Sequence, residues 1–253
     1  MAFKKLYNQE EPLLIYNVWD VPSVKVAEKL NAKAIGTSSA AIAALLGYND
    51  GEELSFAELE YIVKRIALNT KLPLSVDLEA GYSRNPTEIV QHIKKLYNLG
   101  VVGINIEDSI VIAGKRQLLD SVLFAKTLSE ITTQLQKENI HIFINVRTDT
   151  FLLNVANVVL EETKTRMQQY EKAGASGIFI PCLEKEIDIK QLTEATRLPI
   201  NVMCMPKLSN FNILTQLGVK RISMGNFLFG NMYNHYEEMV NKIVKQQSFN
   251  SIF

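Results

Sequence analysis

Short apolar runs alternate with longer stretches of helical periodicity along the whole chain. The runs Leu13–Val18, Ala32–Gly36, Leu74–Asp77, Val101–Ile106, Ile142–Val146, Gly177–Ile180, Ile200–Met203 and Arg221–Ser223 read as strands. Between them, segments such as PTEIVQHIKKLYNLG repeat apolar positions at helical spacing, with Pro86 near the start and Gly100 at the end. EETKTRMQQYEKAGA likewise stops on Gly174, and a strand follows at once. Eight strands separated by helices, with no linker or low-complexity segment, predict an α/β fold: a (β/α)8 barrel occupying residues 1–253 as a single domain. A doubly wound open sheet is the alternative. After the eighth strand the chain runs on through NMYNHYEEMVNKIVKQQ to an apolar tail, SFNSIF. A last helix accounts for part of this. Phe249, Ile252 and Phe253 need a surface to cover them, so a C-terminal helix swapped onto another copy is expected.

The bulk numbers narrow the function classes. The chain is 47% hydrophobic and 21% charged over 253 residues, enough to bury a sizeable core. Its 27 basic and 27 acidic residues cancel, which removes the electrostatic reason to expect nucleic acid or an anionic membrane as partner. No apolar run approaches the roughly 18 residues of a membrane span. MAFKKLYNQEEP has no apolar stretch behind its lysines, so it does not read as a signal peptide. Two cysteines, Cys182 and Cys204, are too few for a disulfide framework and point to a reducing, cytoplasmic setting.

Chemistry gathers at the strand ends. Asp77 and Glu79, in LPLSVDLEAGY, are two residues apart at the tip of one strand, a spacing that puts both side chains on one face. Glu107 ends the strand in VVGINIEDS. Three carboxylates at neighbouring strand ends make the oxygen-rich pocket that a hard cation such as Mg²⁺ prefers, with Mn²⁺ as an alternative. Taken singly, each acid could equally cap a helix or meet solvent. Arg147, in INVRTD, shares a strand face with Asn145 and Asp149; it either neutralises the acids or offers a fork to a ligand carboxylate. The turn at Thr37–Ala40 presents backbone N–H groups at a helix start, an anion site, and the loop carrying Asp50 reaches over the same face. His92, His141 and His235 fall on a helix, a strand start and the last helix, away from this set.

The phrases NVWDVPSVKVAEKLNAKAIGTSSAAIAALLGYNDGE, PLSVDLEAGYS, GINIEDS, FINVRTDTFL, AGASGIFIPC and LPINVM together resemble the isocitrate lyase/phosphoenolpyruvate mutase superfamily. The resemblance covers nearly the whole chain. It implies a TIM-type barrel that uses Mg²⁺ to break or rearrange a C–C or C–P bond in a small 2-oxo or 2-hydroxy carboxylate, through an enolate-like species. It implies a homo-oligomer, dimer or tetramer. By resemblance Asp77 is the direct metal ligand, and Glu79 and Glu107 hold the ion largely through water. Arg147 takes the substrate carboxylate and Asp50 lies near the reacting group, the two catalytic candidates. Trp19, Thr37, Ser38 and Asn145 complete the substrate-facing set. The departures are specific. Lyases of the family carry a Lys-Cys-Gly-His gating loop where this chain has SIVIAGKRQLL, with Lys115 and Arg116 as its only charges. Ser109 stands where mutases have lysine, Glu79 where aspartate is familiar, and Pro181-Cys182 where mutase-like members have histidine. The same departures leave room for a silent family member that binds a metal and a carboxylate without turnover.

Overall fold

The computed structural model describes residues 2–7, 9–155 and 158–253. The first apolar run forms β1 (Leu13–Leu14) and β2 (Tyr16–Val18), after a short α1 (Ala2–Lys5). Then come α2 (Val21–Lys29), β3 (Ile35–Thr37), α3 (Ser39–Leu46), α4 (Phe56–Ala67), β4 (Leu74–Asp77), α5 (Pro86–Asn98) and β5 (Gly103–Glu107). A hairpin follows, β6 (Ser109–Ile112) and β7 (Lys115–Leu118), before α6 (Ser121–Lys137) and β8 (Phe143–Arg147). The chain ends with α7 (Val159–Lys172), β9 (Gly177–Ile180), α8 (Glu186–Glu194), β10 (Ile200–Met203), α9 (Phe211–Gln216), β11 (Arg221–Ser223) and α10 (Phe227–Gln246).

The parallel sheet runs β1-β11-β10-β9-β8-β5-β4-β3-β2. Its two ends are one stretch of chain. Leu13 and Leu14 align with Arg221 and Ile222, whereas Tyr16 to Val18 align with Ile35 to Thr37. Ile15 between them donates to Ile222 O at 2.8 Å, so the ring closes and the open-sheet alternative is excluded. Two expected strands begin later than their apolar runs do. Ala32 N–H still closes α2 on Ala27 O, and Val101 N–H closes α5 on Leu96 O, after Asn31 and Gly100 turn the chain at positive φ.

Helices cover the outside and share one continuous core with the strands' outward residues. Inside the ring the floor is Phe3, Tyr7, Leu13, Ile15, Ala34 and Phe143, with the Tyr7 and Phe143 rings stacked at 4.6 Å. Above the floor lies a polar layer. Asn145 Nδ2 donates to Asn105 Oδ1 at 2.9 Å and Asn201 Oδ1 at 3.2 Å, while Arg221 reaches Tyr7 and Asn105. The C-terminal strand ends above this layer form the mouth. On the outside, α10 has no buried residue and exposes Phe227, Leu228, Met232, Tyr233 and Tyr236. Among the described residues no helix is long and apolar enough to cross a membrane.

Candidate active site at the barrel mouth

Asp77 closes β4, and its neighbours fix its orientation. Its N–H donates to Thr37 Oγ1 at 2.8 Å, and its Oδ2 accepts from Ser39 Oγ at 2.9 Å. Ser38 caps α3 by accepting from Ala41 N–H, which puts Ser39 in the first turn facing Asp77. The hydroxyls of Thr37 and Ser38, expected to face a substrate, are thus committed to the ends of β4 and α3. Ser39, which the sequence pattern did not single out, also lies 3.2 Å from Asp50 Oδ1.

Glu79 departs from its expected geometry. The strand stops at Asp77, and Glu79 sits at φ +48°, so strand alternation does not carry its side chain to Asp77's face. Its Oε2 accepts from Glu52 N–H at 2.8 Å and its Oε1 from Tyr82 O–H at 2.7 Å. Burial, followed by the charge of Asp50, lifts its carboxyl to a pKa of about 7. A folded-state value above the unfolded one means that the folded protein holds the extra proton. Stability in chelator is therefore expected to fall as pH rises from about 4.5 to 7. Glu79→Gln keeps the shape without the charge. It should raise the melting temperature at pH 8 by about 2–4 °C and flatten that slope; an unchanged slope in calorimetry between pH 5 and 8 would assign the slope to other groups.

Glu107, Arg147, Asp149 and Arg116 form the centre of the mouth. Arg147 grips Asp149 with Nε at 2.6 Å and Nη2 at 3.1 Å, and its guanidinium carbon lies 5.9 Å from the Phe179 ring. Its Nη1 is 3.1 Å from Glu107 Oε2, yet that oxygen has no hydrogen-bond partner among the described residues. Arg147 thus spends its fork on the protein's own Asp149, and one edge faces Glu107. From the hairpin, Arg116 Nη1 pairs with Glu107 Oε1 and lies 3.3 Å from Asp149, while its Nη2 meets Asp50 at 2.9 Å. Lys115 instead stays exposed beside the hairpin turn.

No three histidine, cysteine or acidic side chains among the described residues converge closely enough to hold an ion by themselves. The expected three-carboxylate cluster is a looser arrangement. Asp77 Oδ1 and Glu107 Oε2 are both buried without a hydrogen-bond donor among the described residues. Burial pushes both carboxyls up, against the opposing pull of Arg147. Two acceptor-only oxygens in a dry site fit a cation that keeps several of its waters, as Mg²⁺ does. Both oxygens of Glu79 are already engaged, by Glu52 N–H and Tyr82 O–H.

The remaining candidates divide. Trp19 is buried with its ring edge-on to Phe229 at 5.3 Å, tying the mouth to the first turn of α10. Asn145 belongs to the polar layer, where both amide hydrogens are already donated. Cys182 holds a left-handed backbone at φ +62°, and burial raises its thiol. Cys204 donates to Met224 O at 3.3 Å. His92 stacks on Phe56 at 3.9 Å, and its Nδ1 lies 2.9 Å from Gly81 O. Behind the mouth, Asp108 is fully buried and accepts from Thr148, Asp149 N–H, Arg166 and Tyr170. Nothing in GINIEDS distinguished this inward-locked acid from its neighbour Glu107.

Residues 3–244 match the family model for phosphoenolpyruvate phosphomutase. An uncharacterized protein of Mycobacterium tuberculosis (strain ATCC 25618 / H37Rv) is 31% identical over 89% of this chain and 82% of its own length. The oxaloacetate decarboxylase of Ectopseudomonas mendocina (strain ymp) is 25% identical over 89% of this chain and 77% of its own. A provisionally named phosphonomutase of Burkholderia cenocepacia J2315 superposes with a TM-score of 0.88 at 32% identity, covering 95% of this chain and 97% of that one. With its barrel closed and its acids at the mouth, the chain belongs to the phosphoenolpyruvate mutase/isocitrate lyase superfamily of enzymes.

Proposed function

We propose that the protein is a Mg²⁺-dependent lyase or hydrolase of a small 2-oxo carboxylate, acting by C–C or C–P cleavage. The observation that carries this reading is the pair of buried carboxylate oxygens without donors, Asp77 Oδ1 and Glu107 Oε2, beside the Nη1 edge of Arg147. Asp77 would hold the ion directly, with Glu107 and Glu79 supporting its waters. A bound Mg²⁺ supplies Lewis-acid stabilisation of negative charge on the substrate's oxo oxygen. The chain's own residues do the rest. Asp149 anchors two nitrogens of Arg147, so its third can turn to a substrate carboxylate without losing orientation. Ser39 holds Asp77 in place.

The hairpin limits the reaction. From Ser109 to Leu118 it carries no side chain that titrates near neutrality, so it offers no general acid to a departing carbanion. Decarboxylation or hydrolysis of a short oxo-acid suits such a site better than isocitrate cleavage, and the decarboxylase relative supports that choice. A panel of oxaloacetate, phosphonopyruvate, isocitrate and 2-methylisocitrate with Mg²⁺ or chelator tests it, with Asp77→Ala as the control for metal-catalysed background. Protein-dependent turnover of a short oxo-acid is expected. Robust conversion of isocitrate would overturn the reading and direct attention to Cys182. The internal pairing of both arginines favours one second reading, a silent member that binds metal and carboxylate; it predicts binding of oxalate with no turnover across the panel.

The largely exposed α10 extends the proposal to assembly. A 20-residue helix with no buried side chain and a run of exposed aromatics has its natural partner in a second copy, as a swapped helix would. Sedimentation velocity is expected to give a dimer or larger; a monomer at micromolar concentration would refute the swap.

A further inference from the structure

The hairpin holds Arg116 where a cation would be needed. Its guanidinium meets acids from three separate parts of the chain: Glu107 at the end of β5, Asp149 after β8 and Asp50 after α3. Its side chain is only 13% exposed, so its pairs with the buried Glu107 and Asp149 form in a largely dry place, whereas Asp50 is half-exposed. A fourth contact runs from Nη1 to Ser109 Oγ at 2.9 Å. An arginine bridging Glu107 and Asp149 neutralises the charge that would otherwise draw a divalent ion, and it takes Glu107 Oε1 for itself.

The hairpin is also built to be docked and undocked. β6 and β7 make a sheet of their own, apart from the barrel, joined by a tight turn with Ala113 and Gly114 both at positive φ. Backbone hydrogen bonds tie its two ends to the barrel through Asp108, which accepts from Leu119 N–H and donates to Arg147 O. Between those ends, one apolar contact presses it down: Val111 lies against Gly51, where an added Cβ would come within 2.4 Å of Val111 Cγ2. The lock thus consists of Arg116 on the acids and Val111 on a glycine that leaves it room.

We propose that Arg116 is a built-in counter-ion for the site, that it and a divalent cation are mutually exclusive there, and that cation entry releases the hairpin from the mouth. This rests on the metal reading of Asp77 and Glu107. It assigns the SIVIAGKRQLL segment a role distinct from the acid/base loop that it replaces: a latch operated by the cation. The physical basis is charge competition at Glu107: the guanidinium on Oε1 cancels the negative charge that draws an ion to Oε2, and an ion there repels the guanidinium in turn.

The test is calorimetric titration with Mn²⁺ of the wild type and Arg116→Gln, alongside hydrogen exchange of amides 110–117 with and without Mn²⁺. Arg116→Gln is expected to bind Mn²⁺ at least tenfold more tightly. In the wild type Mn²⁺ should speed exchange across the hairpin, and in the variant exchange should be fast from the start. Equal Mn²⁺ affinity in both proteins overturns the latch while leaving the metal site intact. Tighter binding with no change in wild-type hairpin exchange also overturns it, reducing Arg116 to a nearby charge. Absence of Mn²⁺ binding in both proteins at millimolar concentration overturns the metal reading itself, and the latch with it.

Discussion

Asp77→Ala is expected to abolish both the stabilisation by Mg²⁺ and the turnover of any oxo-acid substrate. A ligand that binds only the folded state at about a hundred times its dissociation constant adds roughly 2.7 kcal/mol, or about 5–10 °C of melting temperature for a chain of this size. Losing Asp77 should erase that increment because its Oδ1 is one of the two buried, donor-free oxygens on which the proposed site rests. The same change should leave the metal-free protein no less stable. Burial works against the charged carboxylate there, and its two bonds to Ser39 recover only part of that cost. Calorimetry with chelator and with Mg²⁺ separates the two effects. A wild type that gains nothing from the ion would remove the metal from this site.

The largest loss of stability should come from a residue that never meets a ligand. Asp108→Ala removes one acceptor from four donors: Thr148 Oγ1 at 2.7 Å, Tyr170 Oη at 2.8 Å, Arg166 Nη1 at 2.9 Å and Asp149 N–H at 3.1 Å. Arg166 would keep Glu162 on α7 as its carboxylate partner, with its buried Nη1 left to the uncharged oxygens of Leu119 and Tyr170. Removing one partner of a buried ion pair typically costs about 3–5 kcal/mol, a drop of about 6–20 °C. Asp149 would also lose its backbone anchor, so Arg147 should drift and activity fall with stability. Chemical denaturation checks the magnitude; a cost under about 1 kcal/mol would show that water takes over the donors without penalty.

The barrel was legible because each buried strand is a compact apolar run between amphipathic helices, and the period of the pattern changes at every junction. Strand ends were harder, since Ala32 and Val101 are as apolar as the strands that follow but serve to close helices. Asp77, Glu107 and Arg147 were found because each terminates a strand that the pattern defines. Glu79 was read as part of the strand, because spacing alone cannot report that the strand stops at Asp77 and the backbone turns left-handed. The hairpin was read as a loop: SIVI and KRQL are short, and their pairing depends on a two-residue turn without the usual Asn-Gly signal. Arg116 was read only as one of the two charges of that segment. Which acids it meets depends on three segments far apart in sequence, and no local pattern encodes that meeting.

The seam of the barrel bears on how the molecule is made. Asn17 accepts from Met224 N–H, 207 residues further along the chain, and Leu13 waits for Lys220 and Arg221 before its edge is covered. At translation rates of about 5–20 residues per second, the first strand stays without its second neighbour for roughly 10–40 s. During that interval an apolar edge is open to any other nascent strand. The split of the first run into two halves, one for each neighbour, confines that exposed edge to Leu13, Leu14 and Ile15. The rest is already paired with β3, so the half-made ring offers aggregation a very short template.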